Sequence, residues 1–247
     1  CNLIEEGDPV IVGVNGVFGE RMSDIVQRCR GTIHRVEVPW GELIPEEAIE
    51  SALKQSGAKL VALVHAETST GALQALDEVG KIIRKYDALL LVDAVTSPGG
   101  IPLEMDKRNI DICYSGTQKC LSIPQGLSPI SLNKRALEKL SKRKSKVQSW
   151  YLDLTMISKY WGSERVYHHT APISMIFALH EGLKIIQEEG LDKRFHRHKR
   201  NHQALVTGLE AMDFKDQNFR ESDLIRLQVV NKLLEQKVID RDLFVIK

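Results

Sequence analysis

Short apolar runs alternate with segments of helical periodicity from Pro9 to Leu132, and this alternation constrains the fold more than any other feature of the sequence. Runs such as Ala88–Asp93 are apolar at successive positions, which is typical of strands buried on both faces of a parallel sheet. Strands are predicted at Pro9–Val14, Thr32–Val38, Leu60–His65, Ala88–Asp93, Ile110–Tyr114 and Leu127–Leu132, and helices at Glu20–Arg30, Pro45–Gln55 and Leu76–Tyr86. The predicted fold class is therefore α/β, a mainly parallel mixed sheet flanked by helices. Little helical sequence separates the last two strands, so we expect one edge or hairpin pair.

The chain becomes mainly helical after Lys134. Ile173–Glu189 carries apolar residues at helical spacing, and Leu191–Met212 continues as a basic helix rich in histidine. Residues 215–247 are strongly charged and too few to form a second α/β domain. We expect a large domain over residues 1–214, followed by a divergent tail over residues 215–247.

The composition argues against several classes of function. A formal net charge of +1 over 247 residues provides no field to steer nucleic acid. No apolar stretch reaches the roughly 18–20 residues that a membrane span needs. No Gly-x-Gly-x-x-Gly follows a predicted strand, which disfavours a nucleotide-binding Rossmann protein. The four cysteines lack paired or metal-ligand spacing and indicate reduced thiols in an intracellular protein, and no targeting signal is visible.

Three successive strand ends carry polar side chains of different chemistry. Thr68–Thr70 follows the third predicted strand, Asp93 ends the fourth, and Lys119 follows the fifth. Because ligands of parallel sheets bind outside the carboxyl ends of the strands, we expect these groups to meet at one edge. A lysine amine forms a Schiff base with an aldehyde once it loses its proton, and a carboxylate ending an apolar strand needs a partner.

Each of these residues also has a purely structural interpretation. Lys119 alone is typical of a solvated surface lysine, Asp93 of a helix N-cap or loop salt bridge, and Thr68–Thr70 of an N-cap or turn. Phe18, after the first strand, either stacks on a flat ligand or packs in the core. Tyr167–Thr170 precedes a helix and is a candidate phosphate site. Its adjacent histidines lack a third spaced ligand, so no metal site is predicted.

Four segments carry a family resemblance. Leu89–Gly100, followed by Tyr114–Lys119, closely resembles the class V aminotransferases, which are pyridoxal-phosphate enzymes of fold type I. Val64–Gly71 and Tyr167–Pro172 agree with that family in order and spacing, and the resemblance covers about residues 1–214. Within that family, the segments look most like the alanine–glyoxylate (serine–pyruvate) aminotransferases and the related kynurenine-type transaminases. The resemblance implies the large-domain fold of these enzymes and transamination from alanine or serine to glyoxylate or pyruvate.

The resemblance implies two chemical roles. Lys119 would be the Schiff-base lysine of pyridoxal 5′-phosphate, and then the acid–base that moves a proton between the substrate α-carbon and the cofactor C4′. Asp93 would pair with the pyridine nitrogen and keep the ring protonated, so that the ring accepts the electrons of a substrate carbanion. The partners would be small amino acids and 2-oxo acids.

Five further residues would bind the cofactor in a protein of this family. Thr68 would bond the ring hydroxyl, where close relatives usually have Ser, and Phe18 would stack on the ring, where they usually have Trp. Gln118 would contact the phosphate. Tyr167 and Thr170 would reach the phosphate of the neighbouring subunit, which implies a homodimer with shared active sites. Relatives are often peroxisomal or mitochondrial.

Two segments that the resemblance implies find no match in the sequence. One is an upstream Gly-rich turn at a helix N-terminus, which cradles the phosphate. The other is a small C-terminal domain with the arginine that clamps the substrate carboxylate. We therefore expect a fragment of a family member. Two alternatives stay open: transamination of kynurenine or 3-hydroxykynurenine on the same scaffold, and an inactive fragment that acts only through dimerisation.

Overall fold

A computed structural model describes residues 1–211 and has the expected α/β architecture. Within those residues, six strands form one sheet in the order β2-β1-β3-β4-β5-β6. The strands are β1 (Pro9–Val14), β2 (Thr32–Glu37), β3 (Leu60–Val64), β4 (Leu89–Asp93), β5 (Ile112–Tyr114) and β6 (Ile130–Leu132). Strands β1 to β5 pair in parallel, and β6 pairs antiparallel with β5. The predicted mixed sheet with one antiparallel edge pair is confirmed.

Seven helices accompany the sheet in the described residues: α1 (Val17–Arg28), α2 (Glu46–Ser56), α3 (Asp77–Lys85), α4 (Lys134–Ser141), α5 (Leu154–Trp161), α6 (Ile173–Glu189) and α7 (Leu191–Ala211). Helix α1 begins at Val17 rather than at the predicted Glu20. Side chains from a distant loop accept hydrogen bonds from its first N–H groups, and no local pattern reveals them. None of these helices is both long and apolar enough to cross a bilayer.

The two faces of the sheet bury separate apolar layers. Side chains of β1, β3 and β4 alternate between the faces, so that Ile11, Leu63 and Leu90 pack with α2 and α3 on one side. Their neighbours in sequence pack on the opposite side with α1 and with Ala136 of α4. Burial on both faces explains the continuous apolar runs in the sequence. It also leaves polar residues at the strand ends as the first groups that a ligand can reach.

One buried carboxylate joins the sheet to α4. Asp111, which is 1% exposed, accepts hydrogen bonds from the backbone N–H of Leu90 at 2.9 Å and from Nδ2 of Asn133 at 2.7 Å. Nη1 of Arg135 lies 3.0 Å from one of its oxygens. A buried carboxylate with several donors and a cation is compensated for the loss of water. This contact holds β4, the strand that ends in Asp93, against the edge of the sheet.

Residues Cys1–His198 form one compact unit, and a second unit begins at Lys199. The predicted domain boundary at residue 214 and the predicted tail over residues 215–247 lie outside the described residues. Helix α6 falls where the sequence predicted it, yet Ile186 is the residue that it buries. Its side chains Ile173 and Phe177 are 62% and 71% exposed, so the N-terminal part of the apolar stripe faces outward in this chain.

Candidate active site

The parallel strands β1, β3, β4 and β5 all direct their carboxyl ends to the same edge of the sheet. Phe18 lies in the first turn of α1, directly after the loop that follows β1; Thr68 and Lys119 lie in the segments that follow β3 and β5, and Asp93 is the last residue of β4. Hydrogen bonds connect these loops. Oγ1 of Thr96 donates to the carbonyl of Ala66 at 2.7 Å, which ties the loop after β4 to the loop after β3.

Asp93 is the buried carboxylate of this edge. It is 6% exposed and accepts two hydrogen bonds, from the Val95 N–H at 3.0 Å and from the Tyr114 hydroxyl at 2.7 Å. Burial raises the pKa of this carboxyl; the two hydrogen bonds oppose the shift, and the nearby charge of Glu67 adds to it. A carboxylate in such a setting gains from a cationic N–H partner, because ion pairing offsets the lost hydration.

A second buried carboxylate, Glu67, joins the loop after β3 to the start of α1. Its Oε2 accepts the Phe18 N–H at 3.1 Å, and its Oε1 accepts the Ser69 N–H at 3.1 Å and the Ser69 hydroxyl at 2.6 Å. The Ser69 hydroxyl in turn accepts the Val17 N–H at 3.0 Å. Helix N-termini leave N–H groups unpaired and favour negative charge, and Glu67 satisfies both needs. A methyl group on Gly16 would overlap the side chains of Glu67 and Ser69.

Glu67 therefore controls the backbone position of two predicted ligand-binding residues. The backbone N–H of Phe18 donates to the Glu67 carboxylate. Thr68 lies between Glu67 and Ser69, whose N–H donates to the same carboxylate. The ring of Phe18 is half-buried, with the guanidinium carbon of Arg21 4.9 Å from its centroid. Thr68 is half-buried as well.

Lys119 and Gln118 lie on an exposed turn that follows β5. The turn is anchored at its start by Thr117, which is fully buried and donates from Oγ1 to the carbonyl of Pro124 at 2.7 Å. Within the turn, the Ser122 N–H donates to the Lys119 carbonyl at 2.9 Å. The next residue, Cys120, donates from Sγ to the carbonyl of Thr96 at 3.1 Å. The backbone of Lys119 is therefore fixed to the loop that follows Asp93, while its amine reaches solvent.

Tyr167 and Thr170 lie apart from this network. Their hydroxyls are 3.2 Å from each other, and Tyr167 is 73% exposed. In the described part of the chain, no hydrogen bond or ring contact joins either residue to the four loops. Between them, the ring of the buried His168 stacks on Trp150 with centroids 4.4 Å apart. No group of three or more His, Cys, Asp or Glu residues within residues 1–211 is placed to hold a metal ion.

Sequence reasoning missed Glu67, Tyr114 and Arg194 as individual contributors. Glu67 and Tyr114 stood inside the motifs that carried the resemblance, and their positions at strand ends were a usable signal. Arg194 had no comparable signal. It lies in the first turn of α7, and its side chain is 4% exposed against loops that are far away in sequence.

Three comparisons place this arrangement among known proteins. The family model described as Aminotransferase class-V matches residues 1–232. The alanine–glyoxylate aminotransferase of Rattus norvegicus is 44% identical over 201 residues, which is 80% of this chain. The (S)-ureidoglycine–glyoxylate transaminase of Bacillus subtilis (strain 168) is 36% identical over 233 residues, or 87% of this chain. The crystal structure of an alanine–glyoxylate aminotransferase from Nostoc sp. has a TM-score of 0.83 at 47% identity, over 85% of this chain.

The matches span only part of these proteins. They cover 49% of the Rattus norvegicus protein and 56% of the Bacillus subtilis protein. The Nostoc structure is covered over 56% of its chain. The chain thus spans about half the length of the curated relatives it matches, and it contains the sheet edge with the four loops.

Proposed function

The chain belongs to the class V aminotransferases, and on that premise we propose that its four loops hold pyridoxal 5′-phosphate for the transfer of an amino group from alanine or serine to glyoxylate or pyruvate. The observation that carries this proposal is the buried carboxylate of Asp93, on the same sheet edge as the turn that presents Lys119. When bound, the cofactor supplies an aldehyde that captures the donor's amino group and a ring that accepts the electrons of the α-carbanion.

Asp93 fits the ring nitrogen of such a cofactor. Within the described residues its donors are a backbone N–H and the Tyr114 hydroxyl, neither of which carries a charge. A protonated pyridine nitrogen would supply the missing cation and lower the pKa of this carboxyl from its raised value. In return, the carboxylate would hold the nitrogen protonated. Tyr114 and the Val95 N–H occupy one oxygen each and orient the carboxylate.

Lys119 would hold the cofactor covalently and then transfer the proton. The Ser122 N–H fixes the backbone carbonyl of Lys119, and the neighbouring thiol of Cys120 ties the turn to Thr96. The amine is therefore carried by a backbone of fixed position. After the donor's amino group has displaced it, the free amine of Lys119 would take the proton from the substrate α-carbon and return it to the cofactor C4′.

Three further side chains would orient the cofactor. Phe18 would stack on the ring and Thr68 would bond the ring hydroxyl, and Glu67 supports both of them from behind. Gln118 would contact the phosphate from the turn that carries Lys119. Its side chain is exposed, and a methyl group on Gly116 would lie 2.8 Å from its Oε1.

A second copy of the chain would complete the site, with Tyr167 and Thr170 reaching the phosphate in the neighbouring subunit. The exposed apolar and aromatic side chains between residues 150 and 177 support a homodimer, because large apolar side chains exposed in such number are typical of protein interfaces. The most exposed of them are Tyr167 at 73%, Phe177 at 71%, Ile173 at 62% and Tyr151 at 59%. Sedimentation of the wild type beside Phe177→Glu tests this surface: loss of the dimer in the variant supports it, and a monomeric wild type refutes it.

Amino-donor assays test the reaction itself. With pyridoxal phosphate added, we expect alanine plus glyoxylate to give pyruvate and glycine, and Lys119→Ala to give none. Turnover of 3-hydroxykynurenine with glyoxylate, in place of alanine, would shift the assignment to the kynurenine-type reaction. No turnover with any donor, by protein shown to be folded, would leave a catalytically inactive fragment. The compartment, peroxisome or mitochondrion by resemblance, is tested by imaging the tagged protein in cells.

A further inference from the structure

Arg194, at the start of α7, is buried and contacts backbone carbonyls of two loops. Its Nε donates to the carbonyl of Gly99 at 2.9 Å, and its Nη2 donates to the carbonyl of Cys120 at 2.5 Å. Nη2 also lies 3.3 Å from Oγ of Ser122, and Nη1 lies 2.9 Å from Oε2 of Glu189. A buried guanidinium is stable only when its donors and its charge are matched, and here four contacts do so.

The two carbonyls belong to the two loops that carry the chemistry. Cys120 follows Lys119 directly, and Gly99 lies in the loop that leaves β4 after Asp93. Gly99 has a φ of 83°, which is a left-handed conformation, and Ser122 has a φ of 59° although it is not glycine. Glycine adopts this conformation without strain, whereas the Ser122 turn holds a backbone conformation that needs support from its surroundings. The planar fork of Arg194 contacts both at once, which a single N–H donor cannot do.

Glu189, the last residue of α6, holds the guanidinium in place. It pairs with Nη1 of Arg194 and, through two further bonds, with Arg197. Both arginines stabilise its ionised form, Arg197 most strongly, and lower the pKa of this carboxyl to about 2. Arg197 contacts Glu189 but, in the described residues, no carbonyl of either loop. The two arginines thus share Glu189 and differ in their bonds to the loops and in exposure, which is 4% for Arg194 and 40% for Arg197.

We infer that Arg194 is a positioning residue that locks the Lys119 turn to the loop after Asp93 and so sets the separation between the amine and the carboxylate that grip the cofactor. The inference rests on the proposed function. Arg194 would touch neither the cofactor nor the substrate, and it would act through the carbonyls of Cys120 and Gly99.

The test uses the full chain and three variants. Arg194→Met keeps the length of the stem and removes every donor, Arg194→Lys keeps the charge without the fork, and Arg197→Met is the matched control. Hydrogen exchange is measured without cofactor, at the amides of Gly100, Ile101, Ser122 and Ile123, which are bonded within the two turns. The second readout is the pyridoxal phosphate concentration that gives half-maximal borohydride trapping on Lys119.

We expect Arg194→Met to exchange these amides at least about tenfold faster and to need at least about tenfold more cofactor, because two bonds from a charged donor are lost. Arg194→Lys falls between Arg194→Met and the wild type, and Arg197→Met matches the wild type. Unchanged exchange in folded Arg194→Met, or faster exchange with unchanged trapping, overturns the inference alone. If Arg194→Met does not fold, Arg194→Lys decides by the same two readouts. A wild type that is never trapped on Lys119 overturns the proposed function, and this inference with it.

Discussion

Replacing Glu67 with glutamine isolates the contribution of the carboxylate that joins α1 to the loop after β3. The side chain is 1% exposed and accepts the N–H groups of Phe18 and Ser69 together with the Ser69 hydroxyl. Glutamine has the same shape, but one of its two terminal atoms becomes a donor. At least one of the N–H groups then faces another donor and loses its partner.

The size of the effect follows from these contacts. A hydrogen bond to a charged group contributes about 1.5–3 kcal/mol, and a buried donor without a partner costs about 1–3 kcal/mol. Loss of the negative charge at the start of α1 adds about 0.3–1 kcal/mol. Relief from burying a charge offsets part of this sum. We therefore expect Glu67→Gln to destabilise the fold by about 3 kcal/mol, which lowers Tm by roughly 6–12 °C in a unit of this size.

Thermal unfolding by circular dichroism measures this difference against a matched control. Glu78→Gln makes the same substitution in the first turn of α3, where Glu78 pairs with Lys81 at the surface with 57% of its side chain exposed. Exposed pairs contribute about 0–1 kcal/mol, so its Tm should change by no more than a few degrees. If Glu67→Gln unfolded at the same Tm as Glu78→Gln, Glu67 would not be the support of α1 that its contacts indicate.

Three other perturbations have defined outcomes. Asp111→Asn should cost about 3–5 kcal/mol in urea unfolding, because it removes the buried negative charge that pairs with Arg84 and Arg135 and turns one acceptor oxygen into a donor that faces other donors. The same change at Asp87, whose side chain is 84% exposed, should cost under about 1 kcal/mol, and equal losses in the two variants would contradict this expectation. Burial, with the charge of Arg108, lowers the pKa of His65 to about 4. Because the unfolded imidazole titrates near 6.5, the unfolded state binds more protons between these values, and stability should fall by about 3 kcal/mol as pH drops from about 6.5 to about 4. That slope should be weaker in His65→Leu, and an identical slope would refute it. Gly16→Ala should cost about 1–3 kcal/mol through overlap with Glu67, and unchanged unfolding in urea would contradict this.

The parts of the fold that the sequence predicted are those in which local pattern and tertiary burial agree. Continuous apolar runs such as Ala88–Asp93 are strands because both faces of the sheet are covered, and the run itself records that burial. The positions of Asp93 and Lys119 were predictable for the same reason, since each follows directly from where an apolar strand ends. Their chemical roles rest on the resemblance and on the tests described above.

What the sequence could not predict depends on contacts between distant segments. The start of α1 is set by Glu67, which lies 49 residues from Phe18, and Arg194 lies 74 residues from Cys120. Helix α6 shows a different limit. Its periodic apolar residues predicted a helix, but periodicity does not indicate what covers a face, and Phe177 is exposed in this chain. Pattern identifies the elements, and long-range polar contacts then position the site.

Borohydride reduction of the purified chain with pyridoxal phosphate, followed by peptide mass mapping, shows whether Lys119 binds the cofactor covalently. We expect one cofactor adduct on Lys119, absent from Lys119→Ala and weakened in Asp93→Asn, where the ring nitrogen loses its anionic partner. Adducts spread over exposed lysines, with Lys119 labelled no more than the others in protein shown to be folded, would contradict this expectation.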